Sequence, residues 1–306
     1  MNADPALRPV RPHVPSPQAE LVRRLREAFP GEELAAALIA REVVVRRAAV
    51  VGLEDLLPTF ADLDRLLAVG RFDPGDIRVM ARRTLLDAGF MRIVRDGAVD
   101  AGVIAQLARQ GATVVFNRTE RKIEAARQFA ALCRAWLGDP VHLGLIATYG
   151  EDSGFAPHHD VENLIVLQLA GSKRWMFHGD PVEPGLKPEK MDEEPGPTRE
   201  IVLHAGDVMV VPAGQRHHCA AEGRSLHLGV MIESADAGML CGALSATMAA
   251  DPALHAPLPA LLAGSATEAE QIAAVAARLH ALVEGLDLAA LLAEHRSARL
   301  REAGEG

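Results

Sequence analysis

Gly154 to Trp175 reads GFAPHHDVENLIVLQLAGSKRW. His158 and Asp160 are separated by one residue, and the apolar run Leu164–Leu169 follows. Gly171 then marks a turn, and Lys173 comes 15 residues after His158. In an extended chain, residues i and i+2 point to the same side. His158 and Asp160 are therefore predicted to face one interior together, with His159 pointing away. The continuous apolar run reads as a strand.

A second stretch, GDVMVVPAGQRHH from Gly206 to His218, extends the pattern. Gly206, Pro212, Gly214 and His217 fit the spacing G-x5-P-x-G-x2-H. It implies a turn at Gly206-Asp207, a strand, and a Pro/Gly turn that swings His217 toward the mouth of a barrel. Eight of the twelve histidines lie between His142 and His227, which makes a metal site worth weighing. Two histidines and one carboxylate on one face of an ion leave positions open, the ligand set of non-haem Fe(II) oxygenases. A cation buried beside such a metal needs a partner. A dicarboxylate that chelates the metal at one end and meets Lys173 at the other suits both, and 2-oxoglutarate has that shape. Thr148 is a candidate to add a hydroxyl hydrogen bond to the same carboxylate.

Working outward, strands are predicted at His142–Tyr149, Leu164–Leu169, Arg174–His178, Glu200–Leu203, Val208–Val211 and Ser225–Ile232. Strands at this spacing with Gly and Pro turns suggest a sandwich or barrel. Residues 179–198 read as a long charged loop. Upstream, Ser16-Pro17 opens a helix whose face carries Leu21, Leu25 and Phe29. A second helix is expected at Glu32–Glu42, a strand-like run after it, and a third helix at Ala61–Leu67. Short strands are expected at Ile77–Arg82, Met91–Val94 and Thr113–Phe116, with a helix at Ala101–Arg109. Asn117 and Glu120 are spaced as a capping box for a helix reaching Trp136, with Phe129, Leu132, Cys133 and Trp136 on its inner face. After Glu233 the pattern becomes helical: Ala237–Ala249, Ser265–Glu284 (capped by Ser265 and Glu268) and Leu286–Arg301. The expected architecture is α+β: 1–15 a disordered leader, 16–234 a β-barrel domain with N-terminal helices and strands, and 235–306 a C-terminal helical bundle.

The chain has 306 residues, 32 Lys and Arg against 41 Asp and Glu, and a net charge of -9. That balance excludes bulk binding to a nucleic-acid backbone, which needs a basic face. Glu151, Asp152 and Asp192–Glu194 form either a solvated face or an acidic rim that attracts a basic peptide. Cys133, Cys219 and Cys241 have no paired spacing, so a reducing compartment is expected. No run approaches the roughly 20 apolar residues of a spanning helix. The expectation is a soluble, cytoplasmic protein with no membrane partner. His159, His204 and His218 read as rim, surface or supporting residues. His227 reads either as a pocket residue or as a core histidine.

The motifs resemble the JmjC-type, cupin-like oxygenases that depend on 2-oxoglutarate and Fe(II), and within them the bacterial cupin-4 or ribosomal-oxygenase-like branch. The resemblance rests on Gly154, Phe155, Pro157, His158, Asp160, Gln168, Gly171, Lys173, Arg174 and Trp175, with His217 and Ser225–Leu228 downstream. It implies a double-stranded β-helix (jelly-roll) core. It implies that His158, Asp160 and His217 bind Fe(II), and that Lys173 grips the distal carboxylate of 2-oxoglutarate. It further implies O2 as co-substrate, and hydroxylation of a C–H bond on a protein or peptide side chain. Demethylation of lysine is a variant of the same chemistry. The resemblance and an apolar stripe at Leu240, Leu244 and Met248 point to a homodimer through the C-terminal helices. The sequence departs from the family at His159 and Asn163, where Tyr and Asp are usual, and at Gly144 and Ile146, where Asn and Tyr are usual. Two alternatives stand beside this reading: a cupin metalloenzyme that does not use 2-oxoglutarate, and a non-catalytic JmjC-like protein-binding module.

Overall fold

The computed structural model describes residues 16–52, 56–69, 72–73, 75–81, 84–86, 94–95, 98–152, 154–183, 196–235, 237–255, 257 and 263–305. The expected leader at 1–15, the strand residues at 91–93 and most of the 179–198 loop lie outside them.

Residues 1–137 and 141–232 form one unit, and 138–140 with 233–306 form a second. The first unit begins with helices α1 (Pro17–Ala28) and α2 (Gly31–Ala40) and a short strand β1 (Val44–Arg46). Ser16 caps α1 through its side chain, as its position before Pro17 requires. Helix α3 (Phe60–Val69), strands β2 (Ile77–Ala81), β3 (Thr84–Leu86), β4 (Val94–Arg95) and β5 (Ala98–Val99), helix α4 (Ala101–Arg109), strand β6 (Thr113–Phe116) and helix α5 (Glu124–Leu137) follow. The barrel strands are β7 (Val141–Thr148), β8 (Glu151–Asp152), β9 (Asn163–Ala170), β10 (Ser172–Phe177), β11 (Arg199–His204), β12 (Val208–Val211), β13 (His217–Glu222) and β14 (Ser225–Ile232).

The larger antiparallel sheet runs β1-β12-β9-β14-β7-β6-β2-β3, and the smaller runs β11-β10-β13-β8. Strand alternation sorts the side chains into two cores. Leu143, Leu145, Ala147, Ile165, Leu167, Leu228 and Val230 join Leu21, Leu25, Ile104 and Phe129 of the helices. Leu164, Val166, Met209 and Val211 face the other way, toward Trp175, Phe177, Ile201, Leu203 and Cys219 of the smaller sheet. This is the two-sheet jelly roll that the resemblance implied, where the strand pattern alone suggested a sandwich or barrel, and it explains why Leu164–Leu169 is apolar at every position but Gln168.

The structure corrects three expectations. Asn117 and Glu120 do not form a capping box. The Asn117 amide donates to the Gly75 carbonyl at 3.0 Å, and Glu120 accepts from the Leu143 N–H at 2.9 Å. A 3-10 turn at Thr119–Arg121 intervenes, and α5 starts later, at Glu124. His158 and Asp160 precede β9 rather than sharing a strand. His217 opens β13, a strand not anticipated because its polar residues HHCAAE break the apolar signal.

Asp207 ties the barrel to the N-terminal segment. It is 5% exposed, and its carboxylate accepts from the N–H groups of Ala48 (2.9 Å) and His204 (3.0 Å) and from Arg47 (2.6 Å). Burial alone raises its pKa, but the two N–H donors and the guanidinium outweigh that and hold it below the usual carboxylate range.

The second unit holds α6 (Ala237–Ala249), α7 (Ala266–Glu284) and α8 (Leu288–Glu305). Ser265 caps α7 by accepting the Glu268 N–H at 3.1 Å, while Glu268 returns its carboxylate to Gly264 rather than to Ser265. Arg278 bonds Asp251 at 2.7 Å, and Arg299 pairs with Glu233. Among the described residues, no helix is long and apolar enough to cross a membrane.

Replacing Asp207 with Ala strips two partly buried N–H groups and the Arg47 guanidinium of a buried acceptor. We expect a stability loss of about 2–4 kcal/mol in urea unfolding. Because the native carboxyl titrates low, its contribution is present above the ordinary carboxylate pKa and is lost as pH falls through the lowered native value. The wild-type advantage over Asp207→Ala should therefore shrink on acidification.

Candidate metal centre

The site begins with two backbone hydrogen bonds. The His158 N–H donates to the His217 carbonyl at 3.0 Å, and the His217 N–H donates to the His158 carbonyl at 2.7 Å. A pair that exchanges both bonds stands directly opposite in an antiparallel ladder, with side chains on one side. The two ring centroids are 4.6 Å apart. Asp160 follows in the loop, and its backbone carbonyl accepts the Gly214 N–H at 2.9 Å. The Asn163 side chain accepts the Ala213 N–H at 2.9 Å. These two bonds clip the His158–Asp160 loop to the Pro212–Gly214 turn that leads into His217. Gly214 sits at φ +81°, and a Cβ there would run into the Val182 carbonyl, so the turn requires glycine.

The result places one Asp160 oxygen 3.8 Å from His158 Nε2 and the other 3.7 Å from His217 Nε2. One ligand atom from each of the three residues lies within 4.8 Å of the others. Both imidazoles are set for ligation. His158 Nδ1 meets the Ala156 carbonyl at 2.9 Å, and His217 Nδ1 meets the Gln215 carbonyl at 2.9 Å. A carbonyl can only accept, so each Nδ1 carries the proton and each Nε2 keeps its lone pair. This is the hydrogen-bonding pattern that orients metal-ligating histidines. Burial, then the charge of a protonated His158, lower the His217 pKa to about 4, against the opposing pull of Asp160. His217 is thus a neutral donor at physiological pH. Asp160 and His158 side chains are 37% and 27% exposed, His217 only 4%. The centre is open on the loop side and closed on the β13 side.

Lys173 lies further in. It is 1% exposed, its Nζ is 3.2 Å from the Thr148 hydroxyl and 3.5 Å from His227 Nδ1. Thr148 in turn meets the Thr113 hydroxyl at 3.0 Å. His227 pairs with Ile146 in the β7·β14 ladder and is 4% exposed. Burial, then the neighbouring Lys173 and His217, push its pKa well below the usual imidazole value, so it stays neutral beside the ammonium. An ammonium, a hydroxyl and a neutral imidazole make a donor set for one carboxylate. The turn that delivers Lys173 needs Gly171, which sits at φ +64° against the Arg224 carbonyl.

The structure therefore brings His158, Asp160 and His217 together, and sets Lys173 beside Thr148. His227, which the sequence left between pocket and core, is buried beside Lys173. His204 is exposed. His159 and His218 are buried, and His218 bonds His178 at 2.8 Å rather than lining a rim. Sequence reasoning gave no role to Thr113 or His178; a lone Thr or His in an apolar strand carries no signal of its own. Cys133 is a buried core thiol whose pKa burial pushes up.

Residues 119–240 match the family model of the JmjC domain, a span that contains His158, Asp160, His217, Lys173, Thr148 and His227 but not Thr113. Ribosomal oxygenase 1 of Gallus gallus is 36% identical over 85 residues, 25% of this chain and 14% of that protein. Ribosomal oxygenase 2 of Bos taurus is 28% identical over 179 residues, 55% of this chain and 38% of that protein. The matched parts thus span well under half of these relatives. The ribosomal oxygenase YcfD of Escherichia coli, solved with cobalt and 2-oxoglutarate, superposes with a TM-score of 0.53 at 15% identity, covering 80% of this chain and 66% of that one. At that identity the likeness is one of fold.

Asn163→Ala removes one clip of the ligand loop and leaves the three ligating groups in place. Calorimetric titration with Co(II) should show affinity reduced by about tenfold or more, against loss of measurable binding in Asp160→Ala.

Proposed function

We propose that the chain is an Fe(II)- and 2-oxoglutarate-dependent oxygenase that hydroxylates a C–H bond on a protein or peptide side chain. The observation that carries this reading is the pairing of two features inside one barrel. His158, Asp160 and His217 converge with both Nε2 lone pairs available, and a buried Lys173 stands on Thr148 and His227 further in. The first feature fits a divalent metal with open positions. The second fits the far carboxylate of a 2-oxo dicarboxylic acid. A cupin metalloenzyme without 2-oxoglutarate has no use for the second feature.

In this reading His158, Asp160 and His217 hold Fe(II), and Lys173 with Thr148 holds 2-oxoglutarate by its distal carboxylate. Bound Fe(II) with 2-oxoglutarate and O2 supplies oxidative decarboxylation to succinate and CO2, with one oxygen atom inserted into the substrate C–H bond. The protein contributes position and dryness. Trp175, Phe177 and Leu164 keep water from the barrel interior, and the exposed side of Asp160 and His158 gives the substrate its way in. His142, Gly144 and Ile146 precede Thr148 in alternation along β7, opposite in orientation to the helix-side core, and are read as the substrate wall. The net charge of -9 favours a basic protein partner. We assign catalysis to residues 16–234 and read 235–306 as a helical domain for homodimer contact, in an intracellular, cytoplasmic protein. Ile272 (55% exposed) and Leu288 (53%) support self-association of that domain.

Anaerobic addition of Fe(II) and then 2-oxoglutarate should produce a weak visible charge-transfer band. Lys173→Met should retain metal binding and weaken 2-oxoglutarate by about 100-fold, the scale of a lost buried charge pair. Tight metal binding with no band in the wild type would overturn the oxygenase reading. In sedimentation, Ile272→Glu with Leu288→Glu should shift a dimer to monomer.

A further inference from the structure

The interior face of β10 carries Lys173, Trp175 and Phe177 in alternation. The Trp175 ring lies 5.3 Å from the His217 ring and 5.5 Å from the His227 ring, centroid to centroid. The indole therefore stands between a candidate metal ligand and the imidazole that meets Lys173. Trp175 is 2% exposed, and its Nε1 is buried with no hydrogen-bond partner among the described residues. A buried indole N–H normally finds an acceptor, and each orphaned one calls for an explanation.

The surroundings narrow the explanation. Trp175 shares its core cluster with Phe177, Leu164 and Val166, whose side chains offer no acceptor, and with Met209 and its cross-strand partner Cys219, whose sulfurs are weak acceptors. His217 Nδ1 and His227 Nδ1 are engaged with the Gln215 carbonyl and Lys173. Phenylalanine would fill an apolar core position as well without stranding a donor. The donor, then, is matched to something the barrel binds. Resting on the oxygenase reading above, we propose that the Trp175 indole N–H donates a hydrogen bond to an oxygen of the bound 2-oxo dicarboxylic acid. It joins the Lys173 ammonium and the Thr148 hydroxyl as a third donor on that molecule. Trp175 thereby acts as a co-substrate-binding residue rather than as packing. The competing account is an ordered water between Trp175 and Gln168, whose Oε1 is likewise buried without a partner. Such a water would satisfy both atoms without any co-substrate.

The test uses the full chain loaded with Zn(II) and labelled with 15N at the indole nitrogens. The sequence has two tryptophans, so two indole cross-peaks are expected, and Trp136→Phe assigns them. On adding 2-oxoglutarate, the Trp175 indole proton should move downfield while that of Trp136 stays. Calorimetry on Trp175→Phe, which keeps a ring and removes the donor, should show 2-oxoglutarate weakened about tenfold with Zn(II) affinity unchanged. A Trp175 peak that does not move while 2-oxoglutarate binds would overturn the proposal in favour of the water. Equal 2-oxoglutarate affinity in folded Trp175→Phe would do the same. If the variant does not fold, the wild-type spectrum alone decides. Failure of 2-oxoglutarate to bind the wild type at all would overturn the oxygenase reading itself, a separate outcome.

Discussion

Two backbone hydrogen bonds between His158 and His217 fix everything that the site can do. They join a loop ahead of β9 to the first residue of β13, segments that sequence separates widely. Because the bonds are exchanged within one opposed pair, the two imidazoles emerge on the same side, with little freedom to part. Asp160 enters only because its own carbonyl holds Gly214 and because Asn163 holds Ala213. The ligand set is thus built from backbone geometry. Side chains merely complete it, and the carbonyls of Ala156 and Gln215 choose the tautomer.

The same strands carry a gradient of exposure. At the mouth, Asp160 and His158 meet solvent. Inside, Trp175 and Phe177 make the interior apolar, and at the far end Lys173 is buried on Thr148 and His227. A cation is costly in such a place, and the fold spends a threonine pair and a neutral histidine on accommodating it. His227 stays neutral for the same reason that makes it useful: burial and the adjacent ammonium both disfavour its charge.

Much of this was legible in the sequence, and for physical reasons. Continuous apolar runs made β7, β9, β12 and β14 readable, because a strand buried on two faces loses its polar alternation. His158, Asp160 and His217 were readable because few stretches combine that residue chemistry with Gly/Pro turns on either side. Three things were hidden. The strand His217–Glu222 reads HHCAAE: its interior positions are His217, a candidate ligand, and the small Cys219 and Ala221, so it lacks the large aliphatics that signal a strand. The Asn117–Glu120 spacing matched a helix cap, yet tertiary acceptors and donors at Gly75 and Leu143 took both side chains. The i,i+2 rule put His158 and Asp160 on one side, and they do converge, but through a bridge and a loop rather than a continuous strand.

The departures from the family pattern can be placed on this frame. Gly144 and Ile146 lie on the interior face of β7, on the rungs beyond Thr148, where Gly144 pairs with Gly229 and Ile146 with His227. Neither carries the backbone bonds that set His158 against His217. A Cβ at Gly144 would run against the Met231 thioether, which lies across the space that a larger residue there would occupy. A methionine, a side chain that adapts to irregular gaps, thus fills the space beside Gly144. Asn163 shows the same separation from the other side. Standing where the family usually has Asp, it still supplies the one oxygen that the Ala213 N–H requires. In the proposed oxygenase, changes of this kind bear on the substrate wall and leave the groups read as metal ligands in place.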